Sequence, residues 1–379
     1  MRANYQRLSN YIRQVDVRNK AQDVSLLLGL SIEKRFIPSI ANTIGTDLSS
    51  YKIVVPMQFA YVPVTSRNGD KITIALYKGE EKALISQAYT AFEITNADAL
   101  LPDYLMLWFK RPEFDRYARF KSHGSAREVF DWDEMCNVML PVPSFEEQRR
   151  IVAQYQAVEN RIRNNERLIA RLEDTVQSFF FNNYARFLNN EHLPVHLEKT
   201  LIGNIVDCNS SNLSNKDNFT EIEYYDTSSV TDNIFNSPVI LSGAFPSRAK
   251  RKVIYNDILY STVRPNLHHY GLIKNVNDNT IVSTGFLVIR SVLHRVSNEF
   301  IYTWLTKYVD YEIKLQGIAE HSKATYPSIN AEDVLDLEII IPKHDSIPRL
   351  FVDMYNYIYQ LNCEIAKLRE LQSLIIDSL

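Results

Sequence analysis

The sequence predicts an α+β protein built from two similar globular units, each followed by a long helix. Three observations lead to it. A proline-bounded strand end gives way to a helix start twice, once near the midpoint and once toward the end of the chain. Behind each start, apolar residues recur at alternating steps of four and three. The segments ahead of the two starts also match each other in pattern.

The first junction is "LPVPSFEEQRRIV", residues 140–152. Pro141 and Pro143 hold the chain extended, because proline fixes φ and restricts the residue before it. Ser144 is placed to cap the helix and Glu147 to bond back, a capping box. Ile151, Tyr155, Val158, Ile162, Asn165, Ile169, Leu172, Val176 and Phe179 then form an a/d seam. A helix of about 30 residues, roughly 45 Å long, is expected. Asn165 is the one polar residue on that seam, where it can fix register or mark fraying.

The second junction, "IIIPKHDSIPRLF" (339–351), offers Asp345 or Ser346 as the cap but no capping-box glutamate. Its seam is Phe351, Met354, Ile358, Leu361, Ile365, Leu368, Gln372, Ile375 and Leu379.

Upstream, "DYLMLWFK" (103–110) parallels "EFIYTWLT" (299–306), setting Trp108 against Trp304 as core residues. "ALISQAYTAFEI" parallels "TIVSTGFLVI", and "FDWDEMCNV" parallels "INAEDVLDL". "KIVVPMQFAYVPV" and "KVIYNDILYSTV" read as strands around a turn. "LPDYLMLWFKRPEFDRYARF" reads as an amphipathic helix with Pro102 near its start and a break at Pro112. The expected division is a first globular domain over 1–143, a long helix over 144–190, a second globular domain over 191–343 and a final helix over 344–379.

The chain has 379 residues, 45% of them hydrophobic and 23% charged, values of an ordinary folded protein. Its apolar runs are too short to cross a bilayer, and its first residues lack the apolar core of a secretory signal. Cys136, Cys208 and Cys363 are scattered, which suits a reducing cytoplasm and opposes a disulfide framework or thiolate metal site. A formal charge of −3 excludes nucleic-acid binding by bulk charge alone but allows locally concentrated positive charge.

The duplicated arrangement, with Pro141, Pro143, Glu146, Glu147, Gln148 and Ile151 at the first junction, resembles the specificity subunit of type I restriction–modification systems. The resemblance covers essentially the whole chain; the second junction departs from it by lacking the Glu-Glu-Gln run. It implies that the globular domains are target recognition domains, each reading one half of a bipartite, asymmetric sequence in double-stranded DNA. It further implies that the two helices pack as an antiparallel coiled coil and fix the unread spacer. Two methyltransferase subunits would dock on this scaffold with S-adenosylmethionine, and an ATP- and Mg-dependent restriction subunit can join. The chain itself would be non-catalytic, hold no cofactor and touch no membrane.

Candidate DNA contacts follow from residue chemistry. "VTSRNGDKI" puts Arg67, Asn68 and Lys71 around an Asn-Gly turn; arginine can read guanine and asparagine adenine. In "RYARFKSHGSAREVF" the loop residues Lys121, His123, Ser125 and Arg127 suit phosphate clamping and base reading, whereas Arg116 belongs to the helix. In the second half, "SRAKRK" supplies Arg248, Lys250, Arg251 and Lys252, the densest basic cluster. "TVRPNLHHY" adds Arg264, Asn266, His268 and His269 where the first half has Arg67. "AEHSKATY" adds His321, Ser322 and Lys323 where the first half has His123. For any one of these residues the alternative is a solvated polar turn. Their recurrence at corresponding places in both halves favours DNA.

Enzyme readings lack motifs. There is no GxxxxGK[ST] loop, no Asn/Asp-Pro-Pro-aromatic methyltransferase motif, and no acidic-x-Lys within the thirty residues after Pro102-Asp103. "HLPVH" lacks the glutamate and helix of a zinc motif, so no metal site is expected. The alternative from another class is a coiled-coil protein-interaction scaffold that never binds DNA.

Overall fold

Each globular unit is closed by pairing its first strand with its last. Tyr5–Arg7 pairs antiparallel with Met139–Pro141, and Leu197–Leu201 with Glu338–Pro342. Both closing ladders are two-stranded, so the prolines at their ends remove no central hydrogen bond. The computed structural model describes residues 5–39, 45, 47–66, 69–123, 128–214, 216–322 and 325–379. They fall into two units, Met1–Arg163 with Ala366–Leu379, and Asn164–Ile365.

The duplication is plain in the sheets. The first unit orders its central strands Ile12–Val15, Thr90–Ile94, Phe59–Tyr61, Ile74–Leu76, all antiparallel. The second repeats this as Val206–Cys208, Phe286–Ser291, Ile258–Ser261, Tyr270–Leu272. A further pairing also recurs, Lys52–Val54 with Ala83–Ile85 and Ala249–Lys252 with Thr280–Ser283. The second unit alone adds Glu221–Tyr225 and Val239–Ser242 to that ladder. The strands read around a turn do form, but each couple is split between two sheets instead of making a hairpin. Met57 and Asn256, both at positive φ (67° and 71°), redirect the chain there.

The helical region expected from Pro102 with a break at Pro112 forms two helices, Pro102–Phe109 and Pro112–Lys121. The first is buried almost all round, since Tyr104 through Phe109 fill the core; only the second is amphipathic, with Phe114 and Ala118 inward. Its counterpart is Asn298–Lys307 followed by Val309–Glu320. Trp108 and Trp304 are both buried, Trp304 meeting Phe180 edge-on at 4.7 Å.

The central helix, Phe145–Asn183, has 39 residues, longer than the seam suggested because helical residues precede Ile151 and follow Phe179. Ser144 caps it by accepting the Glu147 amide at 3.3 Å. Glu147 does not complete a capping box; its carboxylate holds Arg150 at 2.6 and 2.9 Å. The C-terminal helix is Leu350–Asp377. Neither Asp345 nor Ser346 caps it. Pro348 delays the start, and its carbonyl accepts the Phe351 amide.

Both seams are used. In the first unit Ile151, Val152 and Tyr155 pack into the core that Ile375, Ile376 and Leu379 also join. In the second, Val176 and Phe180 share a core with Phe351, Tyr355 and Ile358, and Phe179 meets Phe351 at 5.9 Å. The start of one helix thus lies with the end of the other, the order of an antiparallel pair. Asn165 is buried on its seam, its Nδ2 without a hydrogen-bond partner among the described residues.

A polar anchor fastens each long helix to its unit. In the second, Lys274 binds Glu299 and Asn356, each at 2.9 Å, as well as Asn256. In the first, Lys78 binds Asp103, which Gln156 approaches at 3.5 Å. The residues correspond, but their solvation does not: Lys274 and Glu299 side chains are 2% and 1% exposed, Lys78 and Asp103 55% and 26%.

Removing one partner of a buried pair strands the other, whereas exposed pairs contribute little. Lys274→Met is therefore expected to cost the second unit about 3–5 kcal/mol, and Lys78→Met about 0–1 kcal/mol in the first. Denaturant unfolding of both variants measures this; equal losses would contradict the burial argument.

Candidate nucleic-acid interface

In both units the connection between the last two strands of the central sheet is bonded to a second polar loop. In the first unit these are residues 62–73 and 121–129. The Thr65 amide donates to Glu128 O at 3.0 Å, Thr65 Oγ1 to Ser122 Oγ at 2.9 Å, and the Phe130 amide to Pro63 O at 2.9 Å. In the second they are 262–269 and 321–328. The Arg264 amide donates to Pro327 O at 2.8 Å and the Ile329 amide to Thr262 O at 2.9 Å. Segments far apart in sequence are thus bonded to each other on each unit.

Of the first unit's candidates, Lys71 is exposed. Lys121 is half-buried and pairs with Glu134 at 3.4 Å. His123 is exposed and exchanges backbone hydrogen bonds with Val129. Arg67, Asn68, Ser125 and Arg127 lie outside the described residues.

In the second unit Arg264 and Asn266 are exposed. The Arg264 guanidinium lies 4.9 Å from the centre of the Tyr326 ring, a cation–π contact between the two loops. His268 and His269 are already engaged. His268 faces Asp232 at 3.2 Å and Glu312 at 2.9 Å. His269 Nδ1 contacts Val230 O at 2.8 Å and Thr231 Oγ1 at 3.0 Å. His321 Nδ1 meets Gly317 O at 2.8 Å, and Lys323 lies outside the described residues.

The basic cluster divides. Arg248 and Lys250 are exposed, and Arg248 reaches toward Gly285, whose carbonyl accepts the Thr262 amide at the start of the 262–269 loop. Arg251 donates to Asn212 at 2.8 Å, and Lys252 pairs with Asp217 at 2.5 Å. Lys252, helped by the Ser214 amide and hydroxyl, pulls the Asp217 carboxyl down to about 2. Sequence reasoning did not single out Asp217, Asp232, Glu312 or Tyr326; no local motif marks them.

Burial pushes the hydroxyls of Tyr260 and Tyr270 well above the ordinary tyrosine range, so both remain neutral stacking surfaces beneath the loop. Among the described residues no cluster of three or more His, Cys, Asp or Glu is arranged to hold a metal ion. Nor is any helix there long and apolar enough to cross a membrane.

Two like units, each trailing a long helix and each carrying a bonded pair of polar loops, define a duplicated α+β architecture. That is the fold of type I restriction–modification specificity subunits. The crystal structure of the S subunit from M. genitalium aligns with 99% of this chain and 93% of its own, at a TM-score of 0.59 and 14% identity. In sequence, the chain is 30% identical over 141 residues to the type I restriction enzyme HindI specificity subunit of Haemophilus influenzae. The match takes in 36% of this chain and 30% of that relative's length. No protein-family model matches the chain. The resemblance read from the junction and the duplication therefore holds, in sequence over part of the chain and in fold over nearly all of it.

Because the folded carboxyl of Asp217 is depressed, its stabilising contribution is present above about pH 4 and fades as pH falls toward about 2. Asp217→Asn is expected to remove that part of the acid limb from a thermal-unfolding profile across this window. An acid limb identical to that of the parent would show that the Lys252 pair contributes nothing.

Proposed function

We propose that this chain is the DNA-specificity subunit of a type I restriction–modification complex. One observation carries the reading: the same connection of the same sheet is polar and basic in both units, and in both it is bonded to a second polar loop. A protein reading two unrelated half-sites needs a constant sheet and a variable edge, and loops on a rigid scaffold supply that. Each unit reads one half of a split, asymmetric target in double-stranded DNA.

In the first unit the contacts are assigned to Lys71, Lys121 and His123, with Arg67 and Asn68 just ahead of Lys71 in sequence and Ser125 and Arg127 just after His123. In the second they are assigned to Arg264, Asn266, His321 and Lys323 for the groove, and Arg248 and Lys250 for phosphates.

The helix pair sets the unread gap. Major-groove faces recur about every 34 Å, and a 39-residue helix extends roughly 58 Å. Two methyltransferase subunits bring S-adenosylmethionine, and a restriction subunit brings ATP and Mg chemistry. The chain selects sequence in the cytoplasm and catalyses nothing itself.

Methylation mapping tests this in cells carrying the chain with its methyltransferase, and again after deletion of the chain. A split motif with a fixed gap that disappears on deletion is the expected result. Unchanged methylation, with the methyltransferase active and bound to this chain, would instead favour a protein scaffold without DNA binding.

A further inference from the structure

We propose that His268 is a positioning residue that fixes base preference in the second unit, by locking the 262–269 loop so that Arg264 and Asn266 face the DNA. The inference rests on the reading of the chain as a DNA-specificity subunit. It reassigns His268 from a contact to the key of a three-element clamp.

The first grip is the helix Val309–Glu320. Glu312 meets His268 Nε2 at 2.9 Å, and one turn later Gln316 Oε1 accepts the Asn266 amide at 3.2 Å. Gln316 is itself held by Glu320 at 2.7 Å, so one helix face tracks the loop. The second grip is the turn after Val230–Thr231. Asp232 meets His268 Nδ1 at 3.2 Å, and its amide donates to His268 O at 2.9 Å. The third is aromatic: the imidazole stacks on Tyr270 at 5.6 Å and 23°, and Tyr270 stacks on Tyr260 at 5.9 Å.

With both ring nitrogens facing carboxylates and one face covered, the imidazole has little left with which to read a base. What it controls is backbone. His268 and Arg264 both have left-handed φ, 53° and 50°, a conformation that non-glycine residues keep only when their surroundings impose it. Between these two fixed points the exposed side chains are Arg264, Asn266 and Leu267. Arg264 is braced further by the Tyr326 ring.

The first unit reaches the same arrangement with different residues. Asp115, on the corresponding helix, accepts the Ile72 amide at 3.1 Å at the end of the 62–73 connection. Lys34, in the turn of the Leu28–Ser31 and Arg35–Pro38 hairpin, binds Asp115 at 2.8 Å. There the hairpin supplies the cation and the helix the acid. In the second unit the loop supplies the histidine, and helix and turn both supply acids. Recurrence of a helix–turn–loop clamp with exchanged chemistry argues that the loop's conformation is what both units retain.

The test maps methylation in cells carrying the methyltransferase with the parent chain, His268→Asn or Glu312→Gln. Asparagine tolerates left-handed φ and so keeps the fold while losing the double grip. The expected result is that discrimination against single mismatches in the second half-site falls about tenfold, with the first half-site and the gap unchanged. Arg264→Ala should relax the same half-site. If both clamp variants keep the parent base preference at every position of the second half-site, the positioning role is overturned. Absence of a split motif with the parent chain would instead overturn the specificity-subunit reading beneath it.

Discussion

A lysine just past the central sheet, an acid opening the next helix and an amide on the first turns of the long helix fasten each helix to its globular unit. In the second unit Lys274 and Glu299 are almost wholly removed from water, where an ion pair is tolerated only if its geometry is nearly complete. Asn256 and Asn356 accept from the same ammonium, so the lysine has three acceptors, while Glu299 Oε2 has no hydrogen-bond partner among the described residues. Because Asn356 lies on the helix itself, the direction in which the helix leaves the unit is fixed by polar geometry as well as by apolar packing. The first unit has the same anchor in an open form and adds Gln148, fully buried. Its amide bonds Leu101 N, Ala99 O and Pro143 O at 2.8–2.9 Å. The glutamine of the first junction is thus a clasp between the loop preceding Pro102–Phe109 and the start of the helix. The second junction lacks it and uses Arg295, which bonds Pro342 O, Ile347 N and Glu198.

Around these anchors the two units vary where function would require it. Strand order, closing ladder and buried tryptophan are held in common, while the loop pairs differ in length and chemistry. Such a division separates stability from specificity. The sheet pays the entropic cost of ordering once, and loop residues can then be exchanged without unfolding it. On the proposed reading, exposed Arg264 and Asn266 would gain from that rigidity, since a pre-set arginine loses less freedom when it meets a base edge.

Much of the fold was legible in the sequence because periodicity and duplication are local signals. The four-three spacing located both helices, and aligning Trp108 with Trp304 located both cores. Helix ends were less legible: the seam cannot register polar turns that remain helical, and Pro348 moves the helix start past Asp345 and Ser346, the residues whose chemistry suits a cap. Strand pairing was also out of reach, since the left-handed turns at Met57 and Asn256 carry no glycine to announce them. For the candidate interface, composition marked the loops but not which charges are already taken. Lys252 is bound by an aspartate 35 positions away, and His268 by a glutamate 44 positions away. Only folding brings such partners together, so a basic residue read from sequence is a candidate whose availability is decided elsewhere in the chain.

The central claim is that two independent readers share one scaffold, and a unit exchange tests it most directly. The first globular unit, residues 5–141, would be replaced by that of a relative with a different target, leaving both long helices and the second unit intact. Methylated sites would then be mapped. The account predicts a motif in which one half is replaced while the other half and the gap are retained. Simultaneous change in both halves would contradict it, because base preference would then belong to the assembled particle and not to the separate units.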